Sequence, residues 1–204
     1  MFTGIVQGKA VIAGIEGQAS LKTTIIQFPH DALKNISKGA SIAINGTCLT
    51  VTHINMPQDQ VSFDVIEETL ESTNLRLLSQ GDTVNFERAA SIGDEIGGHL
   101  MSGHVHCTCE VTRIEKSESN QTVYMKTPEE FRKYLLPKGF AGLNGCSLTL
   151  GKTIDSEFCV HLIPETLEVT TFGQLKKGSV VNLEIDPQTQ TIVDTVERVL
   201  ADKN

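Results

Sequence analysis

The chain has 204 residues, of which 39% are hydrophobic and none is tryptophan, and its formal net charge is −8 at pH 7. An acidic balance with no cluster of Lys and Arg argues against nucleic acid, whose phosphates need clustered cations. No apolar run approaches the ~20 residues of a membrane helix, and Met1-Phe2-Thr3-Gly4-Ile5-Val6 lacks the basic and long apolar regions of a secretory signal, so a cytoplasmic chain is expected.

In chain order, Gly4-Ile5-Val6 is expected to open a strand, and Gly103-His104-Val105 repeats it 99 residues later. Asn45-Gly46-Thr47-Cys48-Leu49-Thr50-Val51 returns at the same offset as Asn144-Gly145-Cys146-Ser147-Leu148-Thr149-Leu150. Asn-Gly between apolar, β-branched runs is the strongest short-range hairpin signal, because a type I′ turn needs two residues at positive φ. Alternate side chains of a strand share a face, which puts Cys48 with Thr50 and Ser147 with Thr149. Two similar hairpins presenting hydroxyl and thiol groups predict two similar pockets.

Gly81-Asp82-Thr83-Val84-Asn85-Phe86-Glu87 returns as Gly178-Ser179-Val180-Val181-Asn182-Leu183-Glu184, now offset by 97. A longer turn around Asn55-Met56-Pro57-Gln58 accounts for the two-residue change, since turns tolerate insertions better than strands. Short alternating runs such as Val61 to Val65 and Glu157 to His161, with 17 Gly and 6 Pro to turn the chain, predict an all-β architecture. A closed antiparallel Greek-key barrel in each half would remove the exposed edges of a small sheet.

Short helices are expected between strands. Thr127-Pro128-Glu129-Glu130 has the form of a capping box opening a helix to about Leu136, and others should cover Glu67 to Leu78 and Glu165 to Leu175. After Asp186-Pro187, Ile192, Val193, Val196, Val199 and Leu200 fall on one helical face. Such a short helix must pack on something, either its own barrel or another subunit.

His99, His104, His106, Cys107 and Cys109 crowd into eleven residues, but strand alternation separates the His pair from the Cys pair, so they do not converge on one metal ion. Five cysteines at irregular spacing read as reduced thiols. No Walker A loop, strand-linked Gly-x-Gly-x-x-Gly or Gly-x-Ser-x-Gly elbow occurs. The informative feature is where the copies differ: Phe2 against Met101, Ile5 against His104, Cys48 against Ser147, and Ala89 against Asp186. Singly, a free Cys is a small core residue, a His a satisfied polar group, and Asp186 an N-cap. Together they would let one copy do chemistry that the other does not.

Met-Phe-Thr-Gly-Ile-Val, Asn-Gly-x-Cys-Leu-Thr-Val, Asp-Glu-Ile-Gly-Gly-His-Leu-Met-Ser-Gly-His, Cys-Val-His-Leu-Ile-Pro-Glu-Thr-Leu and Glu-Ile-Asp-Pro-Gln-Thr-Gln, all in register, resemble the α chains of bacterial riboflavin synthases, a family of lumazine-binding repeats. The resemblance runs from Met1 to the final helix. It implies two tandem six-stranded barrels, over residues 1–97 and 98–186, each binding one 6,7-dimethyl-8-ribityllumazine, with residues 187–204 as an oligomerisation helix. It further implies a homotrimer with active sites between the N-terminal barrel of one subunit and the C-terminal barrel of another. Association with lumazine synthase is a further partner of that kind. The implied reaction passes a four-carbon unit between two lumazines, giving riboflavin and 5-amino-6-ribitylamino-2,4(1H,3H)-pyrimidinedione, without metal or cofactor.

By the same resemblance, one pocket comprises Gly4, Ile5, Val6, Cys48, Leu49, Thr50, Asp64, Val65, Ile66, Glu67, Glu68 and Thr69. The other comprises Gly103, His104, Val105, Lys138, Ser147, Leu148, Thr149, Leu162, Ile163, Pro164, Glu165, Thr166 and Leu167. The implied catalytic positions are Phe2, Ser41, Cys48, His104, Thr149 and Asp186. Removing a proton from the C7 methyl of one lumazine suits a histidine such as His104, and Cys48 suits addition to, or delivery of water to, the other ring. The rival expectations are a non-catalytic lumazine- or flavin-binding protein, like the bioluminescence antenna proteins, and a duplicated scaffold without ligand.

Overall fold

The computed structural model describes residues 1–18, 20–154 and 156–202. The first barrel contains β1 (Gly8–Gln18), β2 (Leu21–Gln27), β3 (Ser41–Ile44), β4 (Thr47–Asn55), β5 (Gln60–Ile66) and β6 (Thr83–Arg88). The second contains β7 (Cys107–Lys116), β8 (Gln121–Lys126), β9 (Phe140–Leu143), β10 (Cys146–Ile154), β11 (Glu157–Leu162) and β12 (Val180–Ile185). Each sheet closes on itself, in the orders β1-β2-β5-β4-β3-β6 and β7-β8-β11-β10-β9-β12, with every paired neighbour antiparallel. The shared order makes the sequence repeat a fold repeat.

Closure of so small a sheet demands sharp bending, and bulges supply it at matching places. Register shifts fall between Ile12 and Gly14 in β1 and between Val111 and Arg113 in β7. They recur between Val51 and His53 in β4 and between Leu150 and Thr153 in β10. Alternation then sends one set of side chains inward. Ile12, Ile26, Val61 and Phe63 fill the first core, and Val111, Val123, Phe158 and Leu183 the second.

The two Asn-Gly hairpins form as expected. Asn45 and Gly46 have φ of 45° and 81°, Asn144 and Gly145 of 44° and 81°, and Ile44 pairs with Thr47 as Leu143 pairs with Cys146. The turns meet back to back between the barrels, where a Cβ on Gly46 would lie 2.6 Å from the Gly145 nitrogen. Buried asparagines join the halves around this point. Asn85 Nδ2 donates to the Asn144 carbonyl (2.9 Å) and Asn182 Nδ2 to the Asn45 carbonyl (2.8 Å). Asn85 Oδ1 accepts from Thr171 N, and Asn182 Oδ1 from Asn74 N.

Three expectations need correction. Gly4 and Gly103 do not open strands: β1 and β7 begin at Gly8 and Cys107, and the preceding residues run as irregular straps. The helices expected over Glu67 to Leu78 and Glu165 to Leu175 each break in two, as α1 (Glu67–Ser72) and α2 (Pro164–Val169), each followed by a 3-10 turn. Thr73 and Thr170 cause the break, their hydroxyls donating to the carbonyls of Thr69 and Thr166 and accepting from Leu75 N and Phe172 N. The segment Glu129–Tyr134 is a 3-10 helix, and Thr127 makes no capping hydrogen bond to it.

The terminal helix α3 (Pro187–Ala201) forms behind Asp186, while Lys203 and Asn204 of the expected segment lie outside the described residues. Val193 packs on the second core, Tyr134 donates to Asp194, and Lys133 pairs with Glu197. Ile192, Val196, Val199 and Leu200 are exposed. One edge of the expected face therefore meets its own barrel, and the rest faces outward.

Candidate active site

The straps cross between the barrels. Residues 1–6 lead into the first barrel, yet Gly4 accepts a hydrogen bond from Ser147 N (2.8 Å), and Val6 is buried in the second core. Reciprocally, Gly103 leads into the second barrel and accepts from Cys48 N (2.8 Å). Both glycines sit at positive φ, 75° and 81°, and both lack room for a side chain. A Cβ on Gly4 would lie 2.5 Å from Ser147 Cβ, and one on Gly103 2.6 Å from Cys48 Cβ. Only glycine allows this approach.

Two equivalent hollows result. One, of 260 Å³, is lined by Gly4, Ile5, Val6, Ser147, Glu165 and Thr166 among others. The other, of 220 Å³, is lined by Gly103, His104, Val105, Cys48, Glu68 and Thr69 among others. The expected grouping of the first strap with Cys48, and of the second with Ser147, is overturned: each strap serves the opposite barrel. Phe2 and Met101, equivalent in the two copies, join the straps at the midline. Phe2 N donates to Met101 O (2.9 Å) and Met101 N to Phe2 O (3.0 Å). Phe2 is buried against Ala43, Met101 and Cys48, so it supports the thiol from behind.

Buried carboxylates hold the straps. Glu87 accepts from Thr3 N (2.6 Å), Thr3 Oγ1 (2.8 Å) and Gly4 N (3.0 Å). Glu184 accepts from Ser102 N (2.7 Å), Ser102 Oγ (2.8 Å) and Gly103 N (3.1 Å). Burial pushes both carboxyls above the usual carboxylate range, against the opposing pull of these hydrogen bonds. Burial, helped by the charge of Glu87, also pushes the Cys146 thiol up to about 12. Cys146 is thereby held as a buried thiol beside Ser147, whereas Cys48 is half-exposed at its hollow.

A second histidine enters the site. His99 stacks on Phe140 with ring centroids 5.4 Å apart, and its Nδ1 lies 2.6 Å from Ser147 Oγ. Its Nε2 is buried with no hydrogen-bond partner among the described residues. Burial lowers its pKa, outweighing the opposite effect of the Asp186 charge, so the ring is held neutral. A neutral ring can orient the Ser147 hydroxyl towards a ligand. Asp186 itself caps α3, accepting from Gln188 N, Thr189 N and Thr189 Oγ1. Its partial burial opposes ionisation, but these hydrogen bonds prevail and its pKa falls.

Most other expected residues stand apart from the two hollows. Ser41 and Thr50 pair across β3 and β4, and Thr149 faces outward opposite Phe140. Lys138 occupies a turn at φ 67°, its backbone N–H donating to Leu150. Leu49, Val65 and Leu162 are core residues and Leu167 packs against the core, whereas Leu148, also largely buried, lines the Ser147 hollow. Ile66, Glu67 and Ile163 are exposed where strands turn into helices, Pro164 opens α2, and Asp64 accepts from Thr23. Thr50, Asp64, Thr149 and Lys138 are exposed and line neither hollow.

Sequence reasoning passed over Glu87, Glu184 and His99 as functional residues. The two glutamates had a signal: both repeats carry Asn-x-Glu inside an otherwise apolar strand, and a charge inside a barrel strand requires a built partner. His99 had none, because its equivalence to Ser147 and Phe140 is spatial only.

Two closed barrels, each offering a hollow roofed by a glycine strap from its twin, define a tandem binding protein for two like ligands. The family model of the lumazine binding domain matches residues 3–89 and again residues 102–186. Riboflavin synthase of Escherichia coli (strain K12) is 54% identical over 202 residues, covering 98% of this chain and 94% of that one. The structure of LumP complexed with riboflavin superimposes with a TM-score of 0.84 at 31% identity, over 91% of this chain and 99% of LumP. LumP complexed with 6,7-dimethyl-8-(1′-D-ribityl) lumazine gives 0.82, with the same identity and coverage. The chain belongs to the riboflavin synthase family and carries the lumazine binding domain twice.

Proposed function

We propose that this chain catalyses the riboflavin synthase reaction, in which two molecules of 6,7-dimethyl-8-ribityllumazine give riboflavin and 5-amino-6-ribitylamino-2,4(1H,3H)-pyrimidinedione. The observation that carries the reading is a pair of hollows alike in construction and unlike in reactive groups: Cys48 with His104 in one, Ser147 with His99 in the other. A protein that merely stored ligand would gain nothing from that difference. The 54% identity to a named synthase, against 31% to LumP, favours the enzyme over the binder.

His104 takes the proton from the C7 methyl of one lumazine and Cys48 adds to, or delivers water to, the other. Ser147, aligned by His99, and Thr149 hold the ring in the second hollow. The strap amides and carbonyls read the hydrogen-bonding edge of the pteridine. Phe2, Ser41 and Asp186 complete the catalytic set, Phe2 by supporting Cys48 and Asp186 by fixing the start of α3. Holding two rings face to face can replace ~7 to 11 kcal/mol of barrier, which suits a reaction without cofactor or metal.

Each hollow is smaller than the ~300 to 1,000 Å³ of a ligand cavity, which supports a site completed by another subunit. The exposed apolar residues of α3 suit assembly of a homotrimer, which lumazine synthase can enclose. The cytoplasm is the proposed location; among the described residues no helix is long and apolar enough to cross a membrane. Purified protein given only 6,7-dimethyl-8-ribityllumazine, with a chelator present, should generate riboflavin absorbance and consume two lumazines per flavin. Tight binding without flavin would reject the proposal.

A further inference from the structure

We infer that Glu87 and Glu184 are crossed positioning residues, each governing the ligand hollow of the barrel to which it does not belong. Glu184 lies on β12 of the second barrel and Glu87 on β6 of the first. The strap held by Glu184, at Ser102 and Gly103, roofs the Cys48 hollow of the first barrel. The strap held by Glu87, at Thr3 and Gly4, roofs the Ser147 hollow of the second.

The geometry makes each carboxylate the main polar anchor of its strap. Three donors converge on each, two of them backbone N–H groups that would otherwise be buried and unpaired. Each strap then meets the opposite barrel through one backbone hydrogen bond and a glycine with no room for a Cβ. A strap so closely fitted tolerates little displacement, so loss of the carboxylate on one barrel is felt as an opened roof on the other. Burial of the two carboxylates, 3% and 1% exposed, excludes a role for them as surface charges.

The residues supply their own reporters. Cys48 lines the hollow that Glu184 governs, and Cys146 the hollow that Glu87 governs. Cys109 and Cys159, buried in the second barrel, serve as controls for general unfolding. Glutamine keeps the shape of glutamate but lacks one acceptor oxygen and its charge, so Glu184→Gln and Glu87→Gln loosen the straps without emptying space.

The test is iodoacetamide labelling of the full chain, with each cysteine followed by peptide mass spectrometry. Glu184→Gln should speed labelling of Cys48 at least tenfold and leave Cys146 within twofold of the parent; Glu87→Gln should do the reverse. Because removing the Glu87 charge alone eases ionisation of Cys146, Thr3→Ala, which keeps that charge, must also speed Cys146 and not Cys48. Two-site calorimetry with 6,7-dimethyl-8-ribityllumazine should show one weakened site in each variant. Acceleration of each cysteine by the glutamate of its own barrel, of both cysteines together, or of neither overturns the inference.

Should a glutamine variant expose Cys109 and Cys159 as well, Ser102→Ala and Thr3→Ala replace it. Each deletes one hydroxyl donor, and the crossed pattern must then appear at smaller size or the inference fails. It rests on the proposed function only for what fills the hollows. The labelling needs no ligand, so its failure would leave the synthase assay standing, and failure of that assay would leave the crossed anchors standing.

Discussion

Replacing Asn182 by Ala should separate the two barrels energetically without disturbing either core. Asn182 is 1% exposed and sits between the halves, donating to the Asn45 carbonyl and accepting from Asn74 N (2.6 Å). Alanine leaves both backbone groups buried and unpaired, at about 1 to 3 kcal/mol each, for a loss of about 2 to 6 kcal/mol. That is a large part of the ~5 to 15 kcal/mol that keeps a domain folded. Urea unfolding reads it with two probes. Both tyrosines, Tyr124 and Tyr134, belong to the second half, so tyrosine fluorescence follows that barrel while circular dichroism follows both. The parent should show coincident transitions, and the variant an earlier, split one. A loss below about 1 kcal/mol, or transitions that stay coincident, would refute the reasoning that the asparagines couple the barrels.

Three further outcomes follow from the site. His104→Gln should reduce turnover at least tenfold while changing lumazine affinity less than threefold, because the strap backbone survives; equal losses, read by steady-state kinetics and calorimetry, would contradict a proton carrier. Ending the chain before Thr189 removes the exposed apolar face of α3 and should give monomers of depressed activity by sedimentation, whereas a fully active monomer would contradict a shared site. His99 has a lowered pKa in the fold, so its contribution to stability is present above the ordinary histidine value of about 6.5 and lost as pH falls below it. His99→Asn should therefore flatten the fall in urea midpoint between pH 7.5 and pH 5.5; an unchanged slope would contradict a histidine held neutral by burial.

Much of the fold was legible because its determinants are local. Asn-Gly demands positive φ wherever it occurs, and alternation at Val61 to Val65 needs only neighbouring residues to declare a face. The helix breaks at Thr73 and Thr170 were less legible, since a threonine hydroxyl turned back on its own helix competes with a pattern that otherwise continues. The pairing of each strap with its hairpin was misread. Assigning Gly4 to Cys48 follows chain order, whereas Gly4 in fact contacts Ser147, and no local rule announces such an exchange. Glu87 stood in plain sight within a repeated motif, but its three donors come from the other end of its own half.

The exchange also bears on the order in which the molecule can be completed during synthesis. Gly4 leaves the ribosome among the first residues, yet the amide it receives belongs to Ser147, about 140 residues later, while Gly103 finds Cys48 already made. Closing the longer span costs about 0.8 kcal/mol more chain entropy than the shorter one. Glu87 can hold Thr3 and Gly4 as soon as the first barrel is made, but the contact with Ser147 must wait until the second barrel has been translated, and that contact marks the end of maturation.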